Sequence, residues 1–253
     1  MKAIILSAGQ GKRLRLHTID RPKCLVEVAD ACSLLEWQLR QLEAGGVREA
    51  VVVTGFAADK VDAVVAAHRG QITVRTLLNR DYAVADNLMS AALASPEMDR
   101  DFIILNGDTL ITAPVVAGLC SAPSAPVTVS IARKQSFDSD DMKAVVREGR
   151  LLNVSKTLPA STANAESIGM IRFQDSGIEL FKNALVQVGL EENASRKYYL
   201  SAIDRLAQEH PVAVYEVDQD SWAEVDVPED LERARRCVER WTANPQTLRA
   251  VSF

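Results

Sequence analysis

Hydrophobic residues along the chain alternate between short unbroken runs and helically spaced positions. Ala3-Ile4-Ile5-Leu6 is a continuous apolar run that ends in a glycine-rich turn, the pattern of a buried strand. Between Ser33 and Ala44, residues Leu34, Leu35, Trp37, Leu39 and Leu42 fall mostly at helical spacing. Ser33 and Glu36 form a capping box there, and Gly45-Gly46 supplies the stop. Glu49 to Thr54 predicts a second buried strand, Ala58 to His68 a helix stopped by Gly70, and Ile72 to Leu78 a third strand. A helix over Asn87 to Ala94 and a strand over Asp101 to Leu105 complete a βαβαβαβ rhythm. That rhythm predicts a mostly parallel sheet with helices on both faces.

After Pro126 the spacing changes. Val127 to Arg133, Lys143 to Val146, Leu151 to Ser155, Ile168 to Phe173 and Val212 to Val217 read as strands; Ser176 to Val188 and Tyr199 to Glu209 read as helices. Pro228 opens a final helix from Glu229 to about Trp241, as proline does in a first helical turn. Ser121 to Pro126 reads as a surface loop, and neither an internal repeat nor a low-complexity linker divides the chain. The expectation is one α/β domain over 1–253, a mostly parallel (mixed) sheet flanked by helices. Its halves are 1–125 and 126–253.

Composition narrows the class. The chain has 253 residues, 47% of them hydrophobic and 25% charged, which is ordinary for a globular domain. A formal net charge of -5 argues against a nucleic-acid partner, since such proteins carry a basic excess. No apolar run reaches the ~18 residues of a membrane span, and Gly9 to Arg13 interrupts the N-terminal run too early for a signal peptide. Four scattered cysteines without CxxC spacing fit reduced thiols, and a cytoplasmic protein without membrane contact, monomeric or homodimeric, is expected.

Against that acidic background, Leu6-Ser7-Ala8-Gly9-Gln10-Gly11-Lys12-Arg13-Leu14 follows the first strand. Its glycines let backbone N–H groups approach a ligand. Lys12, Arg13, Arg15, Arg21 and Lys23 make a local cationic pocket suited to a polyphosphate. No Gly-Lys-Ser/Thr closes the loop, so it is not a Walker P-loop, and it lacks the third glycine of a Rossmann fingerprint. Pro22 fixes the backbone just before Lys23 and so aims that lysine. Asn106-Gly107-Asp108 ends an apolar strand, where ligands of open α/β sheets collect. Further on, Trp222-Ala223-Glu224-Val225-Asp226 places Glu224 and Asp226 on one side of an extended segment. Asp108 with Asp226 offers hard oxygen ligands for Mg²⁺, although Asp226 alone could equally cap the following helix.

These residues together resemble the nucleotidyltransferases that activate sugar phosphates and phospho-alcohols with a nucleoside triphosphate. The resemblance keeps motif order over essentially the whole chain. Lys23-Cys24-Leu25-Val26, Asp86-Asn87-Leu88-Met89-Ser90, Asp141-Met142-Lys143 and Glu166-Ser167-Ile168-Gly169 look most like the bacterial CTP:phosphocholine cytidylyltransferases and their phosphonate and phospho-alcohol relatives. The resemblance implies a Rossmann-like (GT-A-like) nucleotidyltransferase fold, Mg²⁺ held by Asp108 and Asp226, and CTP as donor. It implies Arg13 and Lys23 as catalytic cations on the triphosphate. Leu6, Ala8, Gly9, Gln10, Gly11, Lys12, Asp86, Asn87 and Gly107 would complete the nucleotide site. It makes 1–125 the nucleotide-binding half, and 126–253 the acceptor half.

For the acceptor, a choline head calls for an aromatic cage with nearby acids. Tyr82, Tyr198, Tyr199 and Trp222 are the candidate aromatics, with Asp141, Lys143, Glu166 and Glu224 as polar partners. Arg196-Lys197 before Tyr198 points instead to an anionic or polyol acceptor. A sugar-1-phosphate nucleotidyltransferase is the alternative activity, and a non-catalytic nucleotide-binding protein is the alternative class. The latter has no need of Lys23, Asp108 and Asp226 together. His17, His68 and His210 are dispersed and make no nucleophilic triad.

Overall fold

Strand β1 (Lys2–Leu6) is the axis around which the layers form. Ile4 points to one face, and Ala3 and Ile5 to the other, all fully buried, so both faces of the strand carry a core. The protein is seen here as a computed structural model, which describes residues 1–243. The order continues with β2 (Glu27–Ala29), β3 (Cys32–Ser33), α1 (Leu34–Ala44), β4 (Glu49–Thr54), α2 (Ala58–Ala67), β5 (Thr73–Leu78) and α3 (Asn87–Leu93). Next come β6 (Phe102–Asn106), β7 (Thr109–Ile111), α4 (Ala113–Ser121), β8 (Val127–Arg133), β9 (Lys143–Arg147), β10 (Arg150–Ser155) and β11 (Ala165–Phe173). The last elements are α5 (Ser176–Gly189), α6 (Leu200–Glu209), β12 (Val212–Glu216), β13 (Trp222–Glu224) and α7 (Pro228–Ala243).

The main sheet runs β5-β4-β1-β6-β11-β8-β12-β10-β9. Its first four strands are parallel, as βαβ crossovers require. From β11 onward the pairing is mostly antiparallel, and β9 also pairs with β11, so that end of the sheet closes on itself. Helices α1, α2 and α4 cover one face through Leu35, Leu39, Val61, Val116 and Leu119. Helices α3, α5 and α6 cover the other through Leu88, Phe181, Leu185 and Ile203. The capping box of α1 forms as its sequence requires: Ser33 N donates to Glu36 Oε2 at 2.8 Å, and Glu36 N to Ser33 Oγ at 3.3 Å.

A third apolar cluster matters most for the site. Leu231, Ala234, Val238 and Trp241 of α7 pack on Val28, Leu34, Trp37, Leu110 and Val225. Trp37 and Trp241 stack with centroids 5.9 Å apart. That packing fixes α7 against β2, α1 and the segments that carry Leu110 and Val225. Among the described residues no helix is long and apolar enough to cross a membrane.

Candidate active site

Asp108 stands on the turn from β6 to β7, and that turn presses on the end of β1. Gly107 N donates to Leu6 O at 2.9 Å. A Cβ on Gly107 would fall 2.3 Å from Ser7 Oγ and 2.6 Å from Leu6 O, so only glycine permits this approach. The short antiparallel ladder of β7 with β13, where Glu224 faces Thr109, then brings the distant Trp222–Asp226 segment alongside. Val225 N donates to Asp108 O at 3.1 Å and completes the join.

Asp226 does not cap α7. Asp230 Oδ2 accepts from the N–H groups of Asp226 and Val227 at 3.1 and 3.0 Å, leaving the Asp226 carboxylate free to face the site. Lys23 Nζ lies 2.8 Å from Asp108 Oδ2 and also bonds Asp226 Oδ1. Burial opposes the charge on this ammonium, but Asp108 and Asp226 outweigh it and hold Lys23 well above the ordinary lysine range. The Lys23 stem runs under Gly11, whose φ of 75° and contact with Lys23 both select glycine.

Asp108, Glu224 and Asp226 each offer a carboxylate oxygen, all within 4.8 Å of one another. Burial, and then the charges of Asp108 and Asp226, push the Glu224 carboxyl up to about 8. Asp108 Oδ1 is buried with no hydrogen-bonding partner among the described residues. An orphaned carboxylate oxygen in a set of hard oxygen donors fits a divalent cation such as Mg²⁺. Glu224, read from sequence as an acceptor contact, stands in the carboxylate cluster that could hold such a cation while also lining the neighbouring cavity.

Two cavities meet here. One, of about 320 Å³, is lined by Leu6, Ala8, Gly9, Gly11, Arg13, Lys23, Tyr82, Asp86, Asn87, Gly107, Asp108 and Asp226, with Ser7, Cys24, Ala85 and Ser90 added by the structure. The other, of about 580 Å³, holds Asp141, Glu166, Trp222 and Glu224 together with Lys134, Asp138, Asp140, Asp230 and Arg233. Arg13 and Asp226 line both. In the second cavity Lys134 Nζ bridges Asp141 (2.8 Å) and Glu166 (3.0 Å). Cys24 supplies no nucleophile, because burial pushes its thiol up to about 12.

Several sequence-based expectations are corrected. Lys12 and Arg15 are exposed and line neither cavity, and Arg21 turns to Asp20 and Glu27; only Arg13 and Lys23 of the five cations reach the site. The Gln10 side chain donates to Thr18 O at 3.3 Å and braces its own loop. The four aromatics form no cage. Tyr199 is fully buried and meets Phe181 edge-on, Tyr198 lies under Lys156, and Tyr82 lines the other cavity beside Phe56. Trp222 alone among them lines the second cavity. Lys143 is buried and donates to Asp138 O at 3.2 Å, so it holds the 134–142 loop instead of the cavity wall. The signal for the residues missed is that loop's charge density, Lys134 to Asp141, which no periodic pattern flags.

The model of the MobA-like NTP transferase domain family matches residues 3–240. The chain is 32% identical over 125 residues to the CMP-5'-(3-aminopropyl)phosphonate synthase of Streptomyces rubellomurinus, covering 49% of this chain and 20% of that one. It is 34% identical over 104 residues to the choline-phosphate cytidylyltransferase of Streptococcus pneumoniae, covering 41% and 43% respectively. The chain thus spans less than half the length of either relative in these matches. The solved structure of the CTP:phosphocholine cytidylyltransferase from Streptococcus pneumoniae superposes with a TM-score of 0.76 at 20% identity, over 94% of this chain and 98% of that one. This likeness establishes the Rossmann-like nucleotidyltransferase fold.

Proposed function

Because the chain belongs to the MobA-like NTP transferase domain family, we propose that it transfers a cytidylyl group from CTP to a phosphorylated alcohol or phosphonate and releases pyrophosphate. The observation that carries this reading is the junction of two cavities at Arg13 and Asp226. Apart from Asp226, the first cavity is lined by residues of 1–125, which take the nucleotide. Apart from Arg13, the second is lined by residues of 126–253, which take the acceptor; residues 244–253 lie outside the described residues.

In the reaction, an oxygen of the acceptor's phosphate or phosphonate attacks the α-phosphorus of CTP in line. A new P–O bond forms as the bond to the bridging oxygen breaks, and that electron pair leaves with pyrophosphate. No covalent intermediate on the protein is needed, so its task is positioning and electrostatics. Arg13 and Lys23 bind the triphosphate and offset charge that develops at the α-phosphorus. Backbone groups of Ala8 to Gly11 wrap the nucleotide, with Asp86, Asn87 and Gly107 beside it. Asp108, Glu224 and Asp226 would hold Mg²⁺, which when bound would supply charge neutralisation to the reacting phosphates.

The acceptor's distal end would meet Glu224, the aromatic Trp222 and the ion cluster of Lys134 with Asp141 and Glu166. A quaternary ammonium favours aromatic faces, whereas carboxylates favour a group that donates hydrogen bonds. A primary ammonium or a hydroxylated head suits this lining. The names of the relatives, an aminopropylphosphonate synthase and a choline-phosphate enzyme, support the general class.

The test is pyrophosphate release with Mg²⁺, crossing CTP, UTP, dTTP, ATP and GTP with phosphocholine, phosphoethanolamine, 2-aminoethylphosphonate, glycerol and inositol phosphates, and sugar-1-phosphates. Turnover with CTP and a phospho-alcohol or phosphonate is expected. Turnover only with a sugar-1-phosphate moves the protein to sugar-nucleotide synthesis, and absence of nucleotide binding overturns the enzyme assignment.

A further inference from the structure

Arg13 is held from two sides. One amino group of its guanidinium pairs with Asp226 at 3.1 Å, and the other bonds Asp140, in the loop between β8 and β9. The second oxygen of Asp140 accepts from Lys156 Nζ at 2.5 Å. That ammonium in turn sits 4.7 Å from the centre of the Tyr198 ring. A chain of contacts therefore runs from Tyr198 through Lys156, Asp140 and Arg13 to Asp226, and ends in the carboxylate cluster.

Three features separate this chain from an ordinary surface ion pair. It joins the glycine-rich loop of the first half to the charged loop of the second, 127 residues apart. It acts on the one cation that lines both cavities among the described residues. And its carboxylate is fixed from behind, because Lys156 occupies the oxygen that Arg13 does not use. Burial pushes the Asp140 carboxyl up, but Lys156 and Arg13 outweigh it and hold it down at about 2, so it is charged at any working pH. Exposed ion pairs contribute little to stability, and Arg13 and Asp140 are each about half exposed, at 55% and 46%. Holding Arg13 does more for reaction geometry than for the fold, since an arginine side chain has many rotamers and a planar fork of donors that works only when aimed.

The geometry points to Asp140 as a positioning residue, which holds the Arg13 guanidinium at the junction of the nucleotide and acceptor cavities, with Lys156 and Tyr198 fixing Asp140 in turn. This rests on the reading of the junction as the place of nucleotidyl transfer. Asp140 lies in the lining of the second cavity, but Arg13 and Lys156 take its two oxygens, so it acts through Arg13. It occupies one side of the fork, so that the face now turned to Asp226 is presented to the phosphates when they arrive.

The experiment compares the full chain with the Asp140→Asn, Asp140→Glu, Lys156→Gln and Arg13→Ala variants and the Asp140→Asn/Arg13→Ala double variant. It reads kcat, both KM values, thermal unfolding, and CTP binding by calorimetry without acceptor. Asp140→Asn is expected to lower kcat about tenfold with an unchanged unfolding temperature, Lys156→Gln to act in the same direction, and Asp140→Glu to recover most of the loss. The double variant is expected to match Arg13→Ala alone, because Asp140 has nothing left to hold. Asp140→Asn activity within about twofold of wild type overturns the inference, as does a double variant in which the two losses multiply. An inactive wild-type chain that binds no nucleotide overturns the site reading itself, and this inference with it.

Discussion

Lys23 Nζ and Asp108 Oδ2 meet at 2.8 Å across 85 residues of chain. The pair ties the loop after the first strand to the end of the fourth parallel strand, and Asp226 closes it from the far end of the sequence. A cation so placed has two tasks. In the free protein it compensates the carboxylate cluster, and under the proposed function its charge would turn to the triphosphate.

Lys23→Ala should therefore lose turnover by at least ~10²-fold, the scale of one preorganised charge contact in a transition state. It should also leave Asp108, Glu224 and Asp226 without their ammonium. Added Mg²⁺ is then expected to raise the unfolding temperature of Lys23→Ala more than that of wild type. Calorimetric scans with and without Mg²⁺ test this, and an unchanged kcat would make Lys23 peripheral.

Asp108→Ala and Asp226→Ala are expected to abolish turnover while the chain still folds. Both also remove an oxygen ligand, so Mn²⁺ binding followed by electron paramagnetic resonance should weaken at least tenfold in each. Wild-type Mn²⁺ affinity in either variant would remove that aspartate from the metal site.

Glu224 gives a pH signature. Its carboxyl stands at about 8 in the folded chain, raised by burial and by the neighbouring aspartates, against 4.5 ordinarily. Between those values the native state holds a proton that the unfolded chain has released. Stability must therefore fall as pH rises through this window, and level off above about 8. In EDTA, the unfolding temperature of wild type is expected to decline from pH 5 to 8 by more than that of Glu224→Gln. Parallel pH profiles would show that Glu224 is not the group responsible.

The parallel half of the fold is legible because buried strands announce themselves. Lys2–Leu6 and Glu49–Thr54 lie where their continuous apolar runs place them. Helix α4 is not, since Ala113-Pro114-Val115-Val116-Ala117-Gly118-Leu119 has no polar face to give it a period, being covered on nearly all sides. The ladder of β7 with β13 is three residues long and packs beneath α7 through Leu110 and Ala223, a long-range contact that no local pattern encodes. Within the candidate site, the meeting of Lys23, Asp108 and Asp226 is legible from their motifs taken together, although Asp226 alone reads equally well as a helix cap. The tyrosines are not legible. Tyr198 and Tyr199 are neighbours in sequence just before α6, yet one lies under Lys156 and the other in the core against Phe181, with its N–H donating to Asn87 Oδ1 at 3.0 Å.

Gly11 is expected to resist substitution. Its φ of 75° is one that side chains rarely adopt, and an added Cβ would lie 2.7 Å from Lys23 Cβ. Gly11→Ala combines left-handed strain of about 1 kcal/mol or more with displacement of the lysine stem. Turnover should fall more than stability does, and a variant with wild-type kcat would show that Lys23 tolerates the shift.

Trp222 and Tyr199 should separate cleanly, because one lines the cavity proposed for the acceptor and the other fills the core. Trp222→Ala is expected to raise KM for the acceptor more than KM for CTP, while the fold holds through the remaining ladder of β13. Tyr199→Ala opens a hole beside Phe181 and should destabilise by about 3–5 kcal/mol, the range for a large buried aromatic. Tyr199→Phe keeps the ring and should keep acceptor KM as well, since Tyr199 is fully buried and lines neither of the two cavities. Denaturant unfolding of the three variants, set beside both KM values, tests the division. A selective rise in acceptor KM for Tyr199→Phe would return that residue to the acceptor site, and equal effects of Trp222→Ala on both KM values would make Trp222 a packing residue.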